Sequence, residues 1–478
     1  MGKQYQDALK LLAAIGIIAV FGLITPFEGL SRSAMLLIGI FIGSVFLWIS
    51  VGISWPSLFC LLALALLPEL SMNSLISSSI GNPAISFLIF TFCCSYALNQ
   101  TLFTRRCAIW FLSTRLAKRG PWPFLCLYFF SVLLLGSCMS TTVIVVLYLT
   151  INEEIFSVLG LEKGDRFAAL MTMGLIITAS ISGAMTPIAH VFPLMALNSY
   201  QSLTGQVISY SAYMAAGIPA ALCSVGAMLL IFRFILRPDT TAIRKINADF
   251  LKQSLRPGDK KERLTASIFF GVVALWVLPE LLKPISPAAA WLSGFGTVMP
   301  PLLGTMLMCI IHTEGKPLLS LGDGAKSVPW PSMFMAASAL TLGSAMTNPD
   351  IGLSEFIKTH LGPMVGMFQG ISFVLLLTAV TAVMTNVGSN MVTITIVCTV
   401  ALPIAASLEG IHVGALAVTL GMMATYAYAT PPAMTTVVLG TGSGWTTNAQ
   451  MAQYGFLILI PCIVIIALVA YPIAAQIL

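Results

Sequence analysis

The chain has 478 residues, 58% of them hydrophobic and only 8% charged. A soluble globular domain carries about a quarter of its residues as charges, so this composition excludes one and leaves a polytopic membrane protein. The net charge of +6 does not point to nucleic acid, because the basic residues sit in short loops between apolar runs, where they fix topology.

Apolar runs of about 20 residues separated by short polar loops argue for helices, since barrel strands alternate over segments of about 10 residues. The expected fold class is therefore an all-α polytopic membrane protein. Lys3, Asp7 and Lys10 precede an apolar run reaching Thr25 with no small-residue cleavage site, so no signal peptide is expected to be removed. The cysteines lie mainly inside apolar runs, without CxxC or Cys/His spacing, and read as packing residues rather than ligands of a metal or covalent cofactor.

In chain order, the first spans are expected at about 8–25, 34–54, 56–70 and 84–103, with Trp55-Pro56 separating the second from the third. Asn82-Pro83 reads as a helix start. Between Thr104 and Gly120 lie five basic residues, Arg105, Arg106, Arg115, Lys118 and Arg119, and no acid; this segment is expected to be a cytoplasmic loop, with the N-terminus inside. The run 122–151 is too long for one span and is interrupted at 136–142, as the tip of a re-entrant hairpin would be. A second interrupted run, 167–197, contains Gly183, Pro187, His190 and Pro193, which break a helix at membrane depth. A span at about 211–232 leads to residues 233–263, where nine Lys/Arg face four Asp/Glu, an expected cytoplasmic linker with helical content.

The second half repeats the plan. Spans are expected near 265–282, 288–311 and 328–346, then a polar loop at 347–362. An interrupted run centred on residues 384–391 follows, then another at 413–440 carrying Thr430-Pro431-Pro432, and a last span at about 453–475. Counting crossings puts the C-terminus outside and makes the two hairpins enter from opposite sides, an inverted repeat inferred from loop charge and break position.

Four helix breaks at membrane depth expose backbone groups that cost several kcal/mol each if unsatisfied. A shared cavity filled by a polar ligand answers that cost. Helix N-termini favour anions, whereas freed carbonyls and Ser/Thr/Asn oxygens favour Na+. From Leu361 to the end, the only Asp, Glu, Lys, Arg or His residues are Glu409 and His412, both in a short loop. With no intramembrane carboxylate to hold an organic cation or relay protons, an anionic substrate is expected.

Ser389-Asn390-Met391 preceded by Thr385, and the turn Ala429-Thr430-Pro431-Pro432, resemble the hairpin tip and broken-helix turn of the divalent anion:sodium symporter family, the INDY-type di- and tricarboxylate carriers. Ser140-Thr141-Thr142 and Ala189-His190-Val191-Phe192-Pro193 occupy the matching places in the first half, and the resemblance spans nearly the whole chain. It implies about 11 transmembrane helices plus two re-entrant hairpins, a homodimer in the lipid bilayer, and an elevator-type motion of a transport domain against a scaffold domain. The corresponding division is 1–120 for first-half scaffold helices and 121–210 for the first hairpin and broken helix. Residues 211–263 form a span and linker, 264–362 the second-half scaffold, 363–452 the second hairpin and broken helix, and 453–478 the last helix.

The resemblance further implies that the paired tips bind substrate carboxylates. Carried over residue by residue, Ser140, Thr141, Thr142, His190, Ser389, Asn390, Met391, Thr430 and Pro431 are the substrate-binding candidates, and Thr385, Ser389 and Asn390 the Na+ candidates. The first half departs from the family: Thr141 replaces Asn, Gly136 stands where a side-chain oxygen is expected, and His190 enters the turn. Because buried dicarboxylate charge needs compensation, a protonated His190 in place of a cation suggests exchange of C4/C5 dicarboxylates such as succinate, malate and 2-oxoglutarate, or weak Na+ coupling. The alternative is a fully Na+-coupled di- or tricarboxylate or sulfate symporter, in an inner or plasma membrane. An enzyme is not expected, since neither paired intramembrane aspartates nor HExxH is present. Nor is a channel, for want of a repeated filter-like sequence. Against all of this stands the plain reading that Ser and Thr in membrane helices bond back to carbonyls, which a lone Ser140-Thr141-Thr142 would satisfy; its pairing with Ser389-Asn390 is what favours a site.

Overall fold

The computed structural model describes residues 3–241, 250–253, 255–365 and 370–478. The chain folds as helices α1 (Lys3–Leu23), α2 (Arg32–Ser50), α3 (Trp55–Leu64), α4 (Met72–Ser78), α5 (Pro83–Asn99) and α6 (Phe103–Leu112). Then come α7 (Pro121–Gly136), α8 (Thr141–Leu159), α9 (Arg166–Met185), α10 (Val191–Thr204) and α11 (Tyr210–Leu230), the last extended by a π-helical turn Ile231–Leu236. The short α12 (Phe250–Gln253) precedes α13 (Lys260–Leu282), α14 (Pro287–Ser293), α15 (Met299–Ile310), α16 (Leu321–Ser327), α17 (Trp330–Thr347) and α18 (Leu353–Val365). The series ends with α19 (Ile371–Val387), α20 (Asn390–Ala405), α21 (Val413–Thr425), α22 (Thr435–Gly442), α23 (Asn448–Ile465) and α24 (Tyr471–Ile477). A two-residue β-ribbon, His312–Thr313 with Lys316–Pro317, turns through Glu314 and Gly315 at positive φ.

Among the described residues seven helices are long and apolar enough to cross a membrane, and six apolar helices of 10–17 residues accompany them. The short ones arise where expected spans are broken. Thus 288–311 is not one helix but α14 and α15, separated at Gly294 to Val298, where Gly296 takes φ +74°.

Several helix starts follow from local chemistry. Asp165 Oδ1 accepts from the Phe167 and Ala168 amides at 2.7 and 3.2 Å, starting α9. Asn82 Oδ1 accepts from Ala84 at 2.9 Å, and Pro83 pre-sets the first turn of α5. His412 lies before α21 and its Nδ1 accepts from the Ala415 amide at 3.2 Å, so it is a cap rather than a free loop residue.

Two expected loops are helical. The basic stretch after Thr104 begins as α6, because Ala108, Ile109 and Leu112 form a buried stripe opposite the charges. The stretch 347–362 contains most of α18, anchored by buried Leu353 and Ile357, with His360 on its exposed side. The linker expected at 233–263 falls in part outside the described residues; its described portions are the end of the α11 extension, α12 and the start of α13.

The core is built on α9 and α21. Every residue from Phe167 to Met185 is buried, as is every residue from Gly414 to Thr425. The packing around the two is reciprocal. Hairpin α7–α8 lies on α9 and hairpin α19–α20 on α21, while α10 packs on α20 and α21, and α22 on α8 and α9. Each half thus completes the surroundings of the other's broken helix, and the breaks are brought to one place.

Candidate functional site

The four breaks lie at residues 137–140, 186–190, 388–389 and 426–434. Each is followed by a helix N-terminus: Thr141 after Ser140, Val191 after His190, Asn390 after Ser389, and Thr435 after Met434. All four N-cap residues have β-region or near-β backbone, and none caps its helix with its side chain. All four line one cavity of about 560 Å³. Four sets of uncapped amide N–H groups with the positive end of the helix dipole therefore meet around one space.

Of the candidates read from the sequence, Ser140, Thr141, Thr142, His190, Ser389, Asn390, Met391 and Pro431 line this cavity. No Asp, Glu, Lys or Arg is among its lining residues. An anion placed here is met by backbone dipoles and hydroxyls, the chemistry of helix N-terminal anion sites. Thr430 and Thr385 stand behind the lining. Thr430 Oγ1 donates to the Asn386 carbonyl, and Thr385 Oγ1 donates to the Ala424 carbonyl at 2.7 Å.

The second half is tied together by a residue the sequence reading passed over. Asn386 Nδ2 donates to the carbonyls of Ala382 and Tyr426, both at 2.8 Å. Its Oδ1 accepts from the amides of Tyr428 and Ala429 at 2.9 and 2.8 Å. One side chain thus satisfies three backbone groups of the unwound stretch after α21. Its signal was present, an Asn buried in the same polar island as Ser389, but its partners lie about 40 residues away and only the fold supplies them.

The first half repeats the Thr430 bond, and Thr186-Pro187, rather than the Ala189-His190 turn matched from the sequence, stands where Thr430-Pro431 stands, ahead of the N-cap of the next helix. Thr186, on the broken helix, donates to the Ser137 carbonyl in the hairpin, and Tyr213 donates to the freed Ala184 carbonyl at 2.8 Å. Gly136 is held small, since a Cβ there would lie 2.2 Å from Ser182 Oγ. His190 Nδ1 is buried and without a partner among the described residues, its ring against Phe192 at 4.1 Å between centroids.

The amide end of Asn390 faces three oxygens: Thr385 Oγ1 at 3.2 Å, the Thr385 carbonyl at 3.0 Å and the Ala433 carbonyl at 2.8 Å. Oxygen facing oxygen at these distances is repulsive. The amide nitrogen therefore takes that side and donates to these oxygens.

Residues 44–422 match the family model described as citrate transporter. The chain is 23% identical over 458 residues to a protein of Staphylococcus saprophyticus named sodium-dependent dicarboxylate transporter SdcS, a match covering 91% of this chain and 86% of the relative. It is 24% identical over 341 residues to an uncharacterized transporter of Haemophilus influenzae, covering 70% of each. Its fold is similar to the crystal structure of the Alcanivorax borkumensis YdaH transporter, described as having an unusual topology, with a TM-score of 0.55 at 13% identity over 97% of both chains.

Proposed function

The chain belongs to the citrate transporter family and is a membrane transporter, not an enzyme; from that premise we propose that it carries small divalent organic anions, the C4/C5 dicarboxylates such as succinate, malate and 2-oxoglutarate. The observation that carries this reading is the meeting of four uncapped helix N-termini at one cavity without fixed charge. The hydroxyls of Ser140, Thr141, Thr142 and Ser389 and the amide of Asn390 add donors, Met391 and Pro431 give apolar walls, and Thr430 holds the turn from behind. His190, when protonated, supplies the positive charge that a buried dicarboxylate requires. Transport on this reading is anion exchange or weakly Na+-coupled, in a homodimer. The hairpins and broken helices of 121–210 and 363–452 move as an elevator against 1–120 and 264–362. The membrane is a plasma or inner membrane, with the N-terminus cytoplasmic and the C-terminus outside.

A second reading, full Na+ coupling, is favoured by the relative named sodium-dependent. On it, Thr385, Ser389 and Asn390 hold Na+. The first half offers no equal, because Gly136 has no side chain and Ser182 fills its place. Uptake of labelled succinate into proteoliposomes separates the two. Exchange predicts uptake only into vesicles preloaded with dicarboxylate, with little response to a Na+ gradient. Strong Na+-driven accumulation into empty vesicles would overturn exchange in favour of symport, and failure of every dicarboxylate to compete would remove the substrate class.

A further inference from the structure

The polar groups of the cavity come from the hairpin tips and His190, but much of its wall is apolar. Ile53, Phe92 and Met333 reach it from outside the four broken helices, and Phe192, Met391 and Met434 from the broken helices themselves. Two of these stand where an oxygen would serve a purely polar substrate: Met391 is the second residue of α20, and Met434 is the N-cap of α22. The volume of about 560 Å³ lies within the range of about 300–1,000 Å³ that holds drug-sized ligands. A four-carbon dicarboxylate leaves much of that space to water, and water against Met and Phe side chains is the arrangement that apolar burial relieves. Three of the six wall residues are methionines, whose unbranched thioethers adapt to differently shaped partners.

We infer that the substrate selected by this cavity is a dicarboxylate with an apolar body larger than four carbons, medium-chain or aromatic, its carboxylates at the helix N-termini and its body against Phe92, Met333, Met391 and Met434. The inference rests on the carboxylate reading above and replaces its C4/C5 size with a larger body. Burying one methylene is equivalent to about a three- to fourfold gain in affinity, so the wall makes a graded prediction along a homologous series.

The test is thermal stabilisation of the purified full-length protein by straight-chain dicarboxylates of four to eight carbons and by the phthalate isomers. The half-stabilising concentration is expected to fall about threefold for each methylene added from succinate to adipate. If succinate is the tightest member and every longer acid is weaker, this inference is overturned while the carboxylate reading stands; if no acid stabilises the protein, both fall. Phe92→Ser and Met434→Ser are expected to flatten the chain-length series, with stabilisation by succinate serving as the check that each variant is folded. A series as steep in both variants as in the parent would overturn the assignment to this wall.

Discussion

Asn386 accepts the backbone amide of Tyr428 at 2.9 Å, a bond between the end of the second hairpin and the stretch that has just left α21. In a water-poor interior that amide has no other partner on offer, and the same side chain also serves Ala429 and Tyr426. The hairpin and the broken helix are thereby made one body, and the N-termini of α20 and α22 keep a fixed relation to each other.

Truncating this side chain leaves three buried backbone groups unsatisfied. At about 1–3 kcal/mol for each group, Asn386→Ala is expected to cost about 3 kcal/mol or more of stability and to abolish transport. Thermal unfolding of the purified variant, with uptake measured below its unfolding midpoint, checks both. Thr385→Val breaks the bond to Ala424 and the contact of the Asn390 amide with Thr385 Oγ1 and is expected to cost about 1–2 kcal/mol.

Gly183 lies where the two halves meet. A Cβ at this position would lie 3.0 Å from Thr141 Cγ2, 3.1 Å from Thr425 Cγ2 and 3.5 Å from His190 Cδ2. Gly183→Ala should therefore press on the first hairpin tip and on the end of α21 together, at about 1–3 kcal/mol for overpacking, and reduce uptake. Thr141→Ser removes one of the two crowding methyls, so the double variant is expected to regain part of the loss. No recovery would show that the Thr141 contact is not what limits the site.

The places where helices break were legible in the sequence because polar atoms, Gly and Pro inside apolar runs have few other uses. The polar island at 384–391 contains the break at 388–389, and the run around Pro431 contains the unwound stretch 426–434. What closes the hydrogen-bond account was not legible. Thr186 to Ser137 and Asn386 to Tyr428 are contacts between segments about 40 to 50 residues apart, and no local pattern names the partner. The five basic residues after Thr104 misled in the other direction. Their charge suggested a loop throughout, while the buried stripe of Ala108, Ile109 and Leu112 makes Phe103–Leu112, with Arg105 and Arg106, a helix.

That helix also uses two of its arginines as clamps. Arg105 pairs with Glu154 on α8. Arg106 forms bonds of 2.7 and 3.2 Å to Glu262 on α13 and donates to the Arg256 carbonyl at 3.0 Å. The Glu262 hydrogen bond holds the Arg106 guanidinium above its ordinary pKa, and the Glu262 side chain is only 9% exposed. Arg106→Met strands a buried carboxylate and is expected to cost about 2–3 kcal/mol, reduced from the fully buried case because Arg106 itself is partly in solvent. Glu262→Met in the same background removes the stranded charge and should recover most of that loss. Unfolding midpoints of the two single variants and the double variant, read as a double-mutant cycle, provide the measurement.

His190 is the N-cap of α10, the place that Met434 holds before α22 in the second half, and the two differ in what they can do. Met434 has no side-chain donor, whereas His190 lines the cavity with a buried Nδ1 that has no partner among the described residues. This nitrogen is closed off in the structure, and the ring is expected to turn it toward a bound carboxylate. A hydrogen bond to a charged group contributes about 1.5–3 kcal/mol, so His190→Ala is expected to raise KM for dicarboxylate exchange about 10- to 100-fold while moving the unfolding midpoint of the substrate-free protein little. A purely structural histidine gives the reverse pattern, a lowered midpoint with KM preserved. His190→Met copies the second half, where Met434 stands, and restores no donor, so it should retain the high KM. Kinetics of succinate counterflow in the three proteins, set beside their unfolding midpoints, decide between the two roles.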